Sequence, residues 1–413
     1  IVKKEEDIMK KFNKFLSVAV ASAMVMAMAG CGNTDNGSAA TGTNAATESA
    51  AASDSAASGS VFKIGGIGPT TGGAAVYGLA VQHGAEIAVE EINAAGGING
   101  YQVEFKFQDD EADAEKSVNA YNALKDWGAQ IIDGSTTSGA CIAVTDKTKE
   151  DNMFQITPSG SAVECVQYDN NFRVCFSNPN QGLASAQYIG ENGLAEKIAV
   201  IYDSSDVYSS GIYEKFAKEA ENQPFEIVAA EAFTADNKTD FSVQLQKAKD
   251  AGADMVFLPI YYQESALILT QAAAMGYAPK WFSCDGMDGI LGGVDNFDVS
   301  LTEGVMLLTP FAADATDDLT QSFVTKYKEK YGDTPNQFAA DSYDAIYVIK
   351  AAIEKSGVTP DMSVSDICDG MKAAMTEITV DGLTGNGMTW TADGEANKAP
   401  KAVVIENGAY KAM

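Results

Sequence analysis

Short apolar runs alternate with amphipathic helical stretches along most of this chain, and this alternation restricts the fold more than any other feature. The first helical stretch places Val81, Ala85 and Ala88 on one face, at helical spacing. Strand-like runs in the first half cover 61–67, 103–107, 129–133 and 153–157, and helical stretches cover 77–95, 113–127 and 140–151. Such alternation predicts parallel strands with helices on both faces of the sheet.

The same alternation starts again near residue 197, after a stretch without a clear pattern. Strand-like runs then cover 197–202, 225–230, 254–259 and 280–283, with helical stretches at 208–222, 240–251 and 263–275. Later helical stretches at 319–331, 338–356 and 364–374 must return to one of the two sheets. We therefore predict an α/β fold of two doubly wound lobes with a binding cleft between them.

The N-terminal region has the pattern of a secretory signal. A basic stretch at 9–14 precedes an apolar run at 15–29, which is shorter than the about twenty residues of a membrane-spanning helix. The run ends in Ala29-Gly30-Cys31, which resembles a bacterial lipobox, so we predict that Cys31 is lipidated. The alternative is an ordinary signal with an incidental cysteine. Residues 1–8 precede Met9, and we expect them to reflect the choice of start site.

The segment that follows predicts a tether. Residues 32–60 are mostly Ser, Ala, Thr, Gly and Asn, a composition with too little apolar surface to fold. We assign 1–30 to the signal and 31–60 to the lipidated cysteine and linker. The predicted location is extracytoplasmic, at the outer face of the cell membrane, with the lipid as the only membrane contact.

Composition excludes several classes of function. The net charge is −29, and removal of residues 1–30, with five lysines and three acidic residues, takes it to −31. A chain this acidic repels polyphosphates, so we predict no nucleic-acid partner. His83 is the single histidine, and the Gly-rich turn at 65–73 lacks the G-x-G-x-x-G spacing. We predict no enzymatic activity, no metal site and no cofactor. The sequence leaves undecided whether Cys165 and Cys175 form a disulfide.

Polar groups follow the predicted strands, at the edge where open α/β sheets bind ligands. In the first half, hydroxyl-rich turns at 134–139 and 159–161 follow two strands, and hydroxyls at a helix N-terminus suit a carboxylate. Helix capping is the simpler alternative for each turn. In the second half, the strand exits carry Tyr208, Tyr261 and Asp285, which suit an ammonium group and an apolar side chain.

Several motifs occur in an order typical of one family. Residues 92–100 read INAAGGING, and residues 68–72 read GPTTG. Further pieces are Tyr77-Gly78, Asp109-Asp110, Gly134-Ser135, Thr157-Pro158-Ser159, Asp240-Phe241 and Tyr343-Asp344-Ala345. Across 61–413, the chain resembles the branched-chain amino-acid-binding proteins of bacterial ABC transporters, which have the type I periplasmic-binding fold. The resemblance implies two lobes that close on a ligand, and a chain that crosses the hinge three times.

The resemblance also implies a role for individual residues. It places the ligand carboxylate at Ser138 and Ser161, together with the loop Ser159-Gly160. It places the α-ammonium group at Asp285, with Ser138 and Ser161 nearby. The implied pocket walls are Tyr77, Tyr208 and Tyr261, with Phe338 as a further candidate.

Three positions depart from the family pattern, which commonly has Glu, an indole and Thr where this chain has Asp285, Tyr77 and Ser161. A shorter carboxylate implies a shifted amine or a ligand unlike leucine, so the exact ligand stays open.

The resulting prediction is a solute-binding lipoprotein that delivers a small amino acid to the permease and ATPase subunits of an ABC uptake system. The first lobe is expected to comprise 61–177 and 311–382, and the second 178–310 and 383–413. A binder of an organic or aromatic acid and a ligand sensor of the same fold are the alternatives, and an enzyme that uses the cleft carboxylates is disfavoured.

Overall fold

The computed structural model describes residues 60–413 of the chain. The predicted signal at 1–30, Cys31 and the linker up to residue 59 lie outside the described residues. Among the described helices, none is long and apolar enough to cross a membrane.

The first sheet has five parallel strands in the order β2-β1-β3-β4-β5. They are β1 (Phe62–Gly68), β2 (Val103–Asp109), β3 (Ile131–Asp133), β4 (Phe154–Thr157) and β5 (Asn171–Arg173). The connecting helices are α1 (Ala75–Ala94), α2 (Ala114–Trp127) and α3 (Ser138–Asp151). The interior strand β1 is almost wholly buried, as expected for a parallel strand covered on both faces.

The second sheet has seven strands in the order β12-β11-β10-β9-β8-β6-β7. They are β6 (Lys197–Asp203), β7 (Glu226–Phe233), β8 (Met255–Leu258), β9 (Lys280–Ser283), β10 (Met306–Thr309), β11 (Lys401–Glu406) and β12 (Ala409–Ala412). Its helices are α4 (Asn178–Glu191), α5 (Val207–Ala220), α6 (Ser242–Asp250) and α7 (Tyr262–Ala274). The strands from β6 to β10 pair in parallel, whereas β11 and β12 form an antiparallel hairpin at the edge.

Three further helices return to the first sheet. They are α8 (Asp318–Tyr331), α9 (Gln337–Ser356) and α10 (Val364–Met375). Helix α9 packs closely along α1, where the backbone at Gly84 lies so near the Ala339 carbonyl that a Cβ at Gly84 would be 2.0 Å from its oxygen. We call β1–β5 with α1–α3 and α8–α10 the first lobe, and β6–β12 with α4–α7 the second lobe.

The chain passes between the lobes after β5, after β10 and after α10. The prediction of two α/β lobes joined by three crossings is therefore confirmed. A buried ion pair lies at these crossings: the Lys398 ammonium is 2.6 Å from the Asp341 carboxylate and 3.1 Å from the Val174 carbonyl oxygen. The predicted residue limits of each lobe stay predictions.

The stretch that lacked a clear pattern contains β5 and helix α4. Helix α4 begins with Asn178-Pro179 and buries mainly small or polar residues, such as Gly182 and Ser185. Gly182 allows the backbone of α5 to approach, because a Cβ there would lie 2.4 Å from the Ile212 carbonyl oxygen. Close packing of this kind leaves no apolar periodicity in the sequence.

The five cysteines among the described residues are buried free thiols. The bridge considered for Cys165 and Cys175 is therefore not formed in this structure. Cys165 instead packs against Cys141 and Ala162, behind the loop that follows β4.

Candidate ligand-binding site

A narrow cavity lies between the lobes, at the carboxyl ends of the strands of both sheets. It is lined by Tyr77, Thr136, Thr137, Ser138, Ser159, Tyr208, Tyr261, Asp285, Gly286 and Phe338. Toward solvent the cleft opens into a chamber of about 320 Å³, whose walls include four acidic side chains and one lysine: Glu111, Asp203, Asp206, Glu264 and Lys238. The structure thus brings most of the predicted site residues to one place.

The first lobe presents the N-terminus of helix α3 to this cavity. Ser138 is the first residue of α3, and its Oγ accepts the backbone N–H groups of Ser161 at 3.2 Å and Ala162 at 3.1 Å. With two donors on its oxygen, the Ser138 hydroxyl keeps its own hydrogen for an acceptor in the cavity. A helix N-terminus with a free hydroxyl donor suits an anion.

Thr137 precedes α3 and adds a second hydroxyl to the same corner. Its side chain is 6% exposed, and its Oγ1 has no hydrogen-bond partner within residues 60–413. A buried hydroxyl without a partner is costly unless a ligand or water supplies one. Thr137 is therefore a further candidate donor to an anionic group.

The loop Ser159–Ser161 contributes less directly than the sequence predicted. The Ser159 hydroxyl lines the cavity but donates to the Thr136 carbonyl oxygen at 2.6 Å. Gly160 and Ser161 lie behind the cavity wall, and the buried Ser161 Oγ has no partner among the described residues. The Gly160 N–H donates to the Thr157 hydroxyl oxygen, and the Ser161 N–H donates to the Ser138 hydroxyl oxygen. The loop therefore holds the Ser138 and Thr137 side of the cavity, which we call the anion corner, from behind.

The second lobe presents a buried carboxylate. Asp285 accepts the Tyr208 hydroxyl at 2.6 Å and the Gln181 side-chain amide at 2.9 Å. Burial raises the pKa of Asp285 to about 7, although these two hydrogen bonds oppose the increase. Both of these partners are neutral. Among the described side chains, none that bonds to the Asp285 carboxylate carries a positive charge.

Aromatic rings fill the space between these two polar corners. Tyr208 stacks on Tyr261 with ring centroids 4.9 Å apart, and Tyr77 packs against Phe338 at 4.4 Å. Burial raises the pKa values of Tyr77, Tyr208 and Tyr261, so all three stay neutral donors near neutral pH. The four rings form apolar walls suited to an aliphatic side chain.

Tyr77 also connects the two lobes. Its ring belongs to α1 of the first lobe, and its hydroxyl donates to the Gly286 carbonyl oxygen of the second. The same hydroxyl accepts the backbone N–H of Tyr262, the first residue of α7, at 3.2 Å. An indole at this position could donate but could not accept, so this double contact depends on tyrosine.

Four residues of the site were not among the predicted ones. Thr136, Thr137 and Gly286 line the cavity, and Gln181 holds Asp285 from helix α4. The two threonines lie in the hydroxyl-rich turn that the sequence singled out. Gln181 lies in the stretch without a pattern, where no sequence signal indicated a role.

The site therefore offers hydrogen-bond donors on one lobe, a carboxylate on the other, and aromatic walls between them. This arrangement can bind a small molecule that carries both a carboxylate and an ammonium group. No group of three or more potential metal ligands occurs within residues 60–413.

The family model and the similar proteins that match this chain are all binding proteins. The pattern of the family described as "Periplasmic binding protein" matches residues 61–409. The chain is 30% identical to the Leu/Ile/Val-binding protein homolog 3 of Brucella melitensis, over 72% of this chain and 80% of that protein. It is also 30% identical to the leucine-, isoleucine-, valine-, threonine- and alanine-binding protein of Pseudomonas aeruginosa, over 71% of this chain and 78% of that protein.

A solved structure shares the fold and part of the sequence. The branched-chain amino acid transporter substrate binding protein LivJ of Streptococcus pneumoniae, in complex with isoleucine, superposes with a TM-score of 0.77. It is 28% identical, and the match covers 85% of this chain and 98% of that one. The matched relatives are named as binding proteins, in agreement with the prediction that the chain is not an enzyme.

Proposed function

Since this chain belongs to the periplasmic binding protein family and is an extracytoplasmic solute-binding protein, we propose that it captures a small zwitterionic α-amino acid for an ABC uptake transporter. The observation that carries this proposal is the opposition of two charge-binding corners across one cavity. Ser138 at the N-terminus of α3 faces the carboxylate, and Asp285 faces the ammonium group.

The walls of the cavity favour an apolar side chain of modest size. The rings of Tyr77, Tyr208, Tyr261 and Phe338 offer apolar surface, and the cavity between them is narrow. The relatives named for leucine, isoleucine, valine, threonine or alanine support the same class. A branched-chain or other small apolar amino acid is therefore the proposed ligand.

Identification of the bound molecule tests this function. Protein purified without denaturation should release an α-amino acid detectable by mass spectrometry, and a thermal-shift screen should rank branched-chain and small apolar amino acids first. At equal concentration a tighter ligand stabilises the folded protein more and raises the melting temperature further, so the ranking needs no labelled compound. Recovery of an organic acid, with no amino acid raising the melting temperature, would overturn the assignment.

One observation favours a second candidate, a binder of an organic acid. With a pKa of about 7, Asp285 is partly protonated at neutral pH and could then donate to a second ligand oxygen. Such a ligand would bind more tightly as the pH falls, whereas an amino acid would bind less tightly. The acidic chamber outside the cavity favours the amino acid, since it repels a net anion.

The remaining part of the proposal concerns the membrane. Cys31 carries a lipid, the segment up to residue 60 tethers the two lobes, and closed protein docks on the permease of an ABC system whose ATPase subunits drive uptake. The Ala29-Gly30-Cys31 sequence supports this anchor. A fatty-acid analogue fed to the native host should label wild-type protein but not Cys31→Ser. Unlabelled wild-type protein would contradict the anchor and leave the ligand assignment intact.

A further inference from the structure

Arg173 is the single arginine of the chain, and its side chain is completely buried. It ends strand β5, directly before the first crossing between the lobes. A buried cation is costly unless many acceptors surround it. The positions of the acceptors around Arg173 therefore indicate the role of its charge.

The guanidinium group binds the carbonyl oxygens of the loop after β4. Nη1 donates to Ser161 at 2.7 Å and to Gly160 at 3.3 Å, and Nη2 donates to Ala162 at 2.8 Å. Three consecutive carbonyl groups thus turn toward one planar fork. Lysine has no such fork and could not reproduce this pattern.

Two peptide groups of this loop lie between Arg173 and the ligand cavity. In a trans peptide the C=O and N–H bonds point in opposite directions. The carbonyls of Gly160 and Ser161 point to Arg173, and the N–H groups of the same two peptides point to Ser138 Oγ. The positive charge therefore aligns and polarises both peptides toward the Ser138 hydroxyl.

The charge of Arg173 is only weakly balanced. Glu395 is the acidic partner, with its Oε2 3.4 Å from Nε, and that side chain is 34% exposed to solvent. No hydrogen bond forms at Nε within the described residues. Glu395 therefore compensates the guanidinium charge only in part, and the carbonyl groups of the loop are its main partners.

We propose that Arg173 is a positioning residue that gives the site its preference for a carboxylate, through the two peptides and the Ser138 hydroxyl. Two aligned donors on the Ser138 oxygen make its hydrogen a stronger donor to an anion. This inference rests on the proposed binding of a ligand carboxylate at Ser138, and it names the buried charge that acts there.

The test compares an acid with its neutral carboxamide. Isothermal titration with L-leucine and L-leucinamide gives the ratio of affinities for wild type, Arg173→Gln and Glu395→Gln. Arg173→Gln should lower the preference for the acid by about tenfold or more. Glu395→Gln, which removes the balancing charge at a partly exposed position, should raise that preference by about threefold.

A purely structural Arg173 would give a different result. Both ligands would then weaken by the same factor in Arg173→Gln, and Glu395→Gln would leave the ratio unchanged; either result overturns the proposal. If Arg173→Gln does not fold, the acid-to-amide affinity ratio of Glu395→Gln alone tests the proposal. In a Ser138→Ala background the effect of Glu395→Gln should disappear, and an unchanged effect there would contradict the route through Ser138.

A second ligand pair separates this inference from the assigned function. If wild-type protein binds neither amino-acid compound, benzoate and benzamide are used in the same comparison. Acid preference that falls in Arg173→Gln and rises in Glu395→Gln would then support the role of Arg173 while the amino-acid assignment fails. Absence of binding by all four compounds would overturn both.

Discussion

We expect recognition of the ligand's ammonium group to depend on Asp285. Its carboxylate is 4% exposed and bonds to two neutral side chains, Tyr208 and Gln181. These bonds stabilise the ionised form, but they do not neutralise it. An ammonium group in the cavity would supply the missing positive charge.

Replacement of Asp285 should therefore weaken binding of an amino acid. A charge-assisted hydrogen bond contributes roughly 1.5–3 kcal/mol, and a stranded ligand charge adds to the loss, so Asp285→Ala should reduce affinity by about a hundredfold or more. Asp285→Asn should recover little, because the amide lacks the charge. Asp288→Asn is the matched control, since Asp288 binds the Gln337 N–H at 3.0 Å outside the cavity. Unchanged affinity for the amino acid in both Asp285 variants would show that Asp285 does not bind the ammonium group and has only a structural role.

The pKa of Asp285 predicts how affinity depends on pH. Burial raises this pKa from 3.8 to about 7, so the unliganded site takes up a proton as the pH falls below neutrality. An ammonium ligand needs the ionised form, and its dissociation constant should therefore rise about tenfold between pH 8 and pH 6. Titration calorimetry in buffers of different ionisation enthalpy would also detect proton release on binding. A flat profile, or tighter binding at pH 6, would contradict the pairing.

Some site residues could be predicted from the sequence and others could not. Ser138 and Asp285 follow strands directly, and the carboxyl ends of strands are where such sheets bind ligands. Gln181 reaches Asp285 from a helix more than a hundred residues earlier in the chain, a contact that only the tertiary fold creates. The free hydroxyl of Thr137 likewise depends on three-dimensional neighbours.

The Tyr77 hydroxyl makes two hydrogen bonds from helix α1 to the second lobe. Tyr77→Phe keeps the ring against Phe338 but leaves the Gly286 carbonyl and the Tyr262 N–H without this partner. Because the contact spans the closed cleft, we expect binding about tenfold weaker, mainly through faster dissociation. Tyr121→Phe is the control, since the Tyr121 hydroxyl binds Asp151 within the first lobe. Equal affinities of wild type and Tyr77→Phe would exclude a role in closure.

The crossings between the lobes contain the buried pair Lys398–Asp341, with side chains 1% and 3% exposed. Lys398→Met would leave Asp341 buried without its cation, and unfolding in denaturant should show a loss of about 3–5 kcal/mol. The double variant Lys398→Met/Asp341→Leu should recover much of this loss. Lys411→Met, which breaks an exposed pair with Glu406, should cost under about 1 kcal/mol. Similar losses for both lysines would show that the crossing is not held by this pair.

Elements with a periodic apolar face were predictable, and elements without one were not. Helices α1 and α9 were predictable because each is long and buries many apolar residues at helical spacing. Helix α4 was missed because it begins with Asn-Pro-Asn and buries glycine, serine and glutamine. The hairpin β11–β12 also gave no clear signal, since its edge strand is largely exposed.

At the scale of the whole molecule, we expect each lobe to supply one half of the polar contacts to the ligand. The first lobe holds the hydroxyl donors and the second holds Asp285, so a ligand contacts both halves only when the lobes are closed. A zwitterion therefore favours the closed form by its differential contacts, and a ligand with one charge does so much less. Recognition and closure are the same event in this account.

Titration calorimetry of wild-type protein with three related compounds tests this claim most directly. L-leucine carries both charges, 4-methylpentanoate lacks the ammonium group, and 3-methylbutylamine lacks the carboxylate. Because an unpaired buried charge is costly on either lobe, we predict that L-leucine binds at least about a hundredfold more tightly than each analogue. Binding of 4-methylpentanoate as tight as that of L-leucine would contradict it.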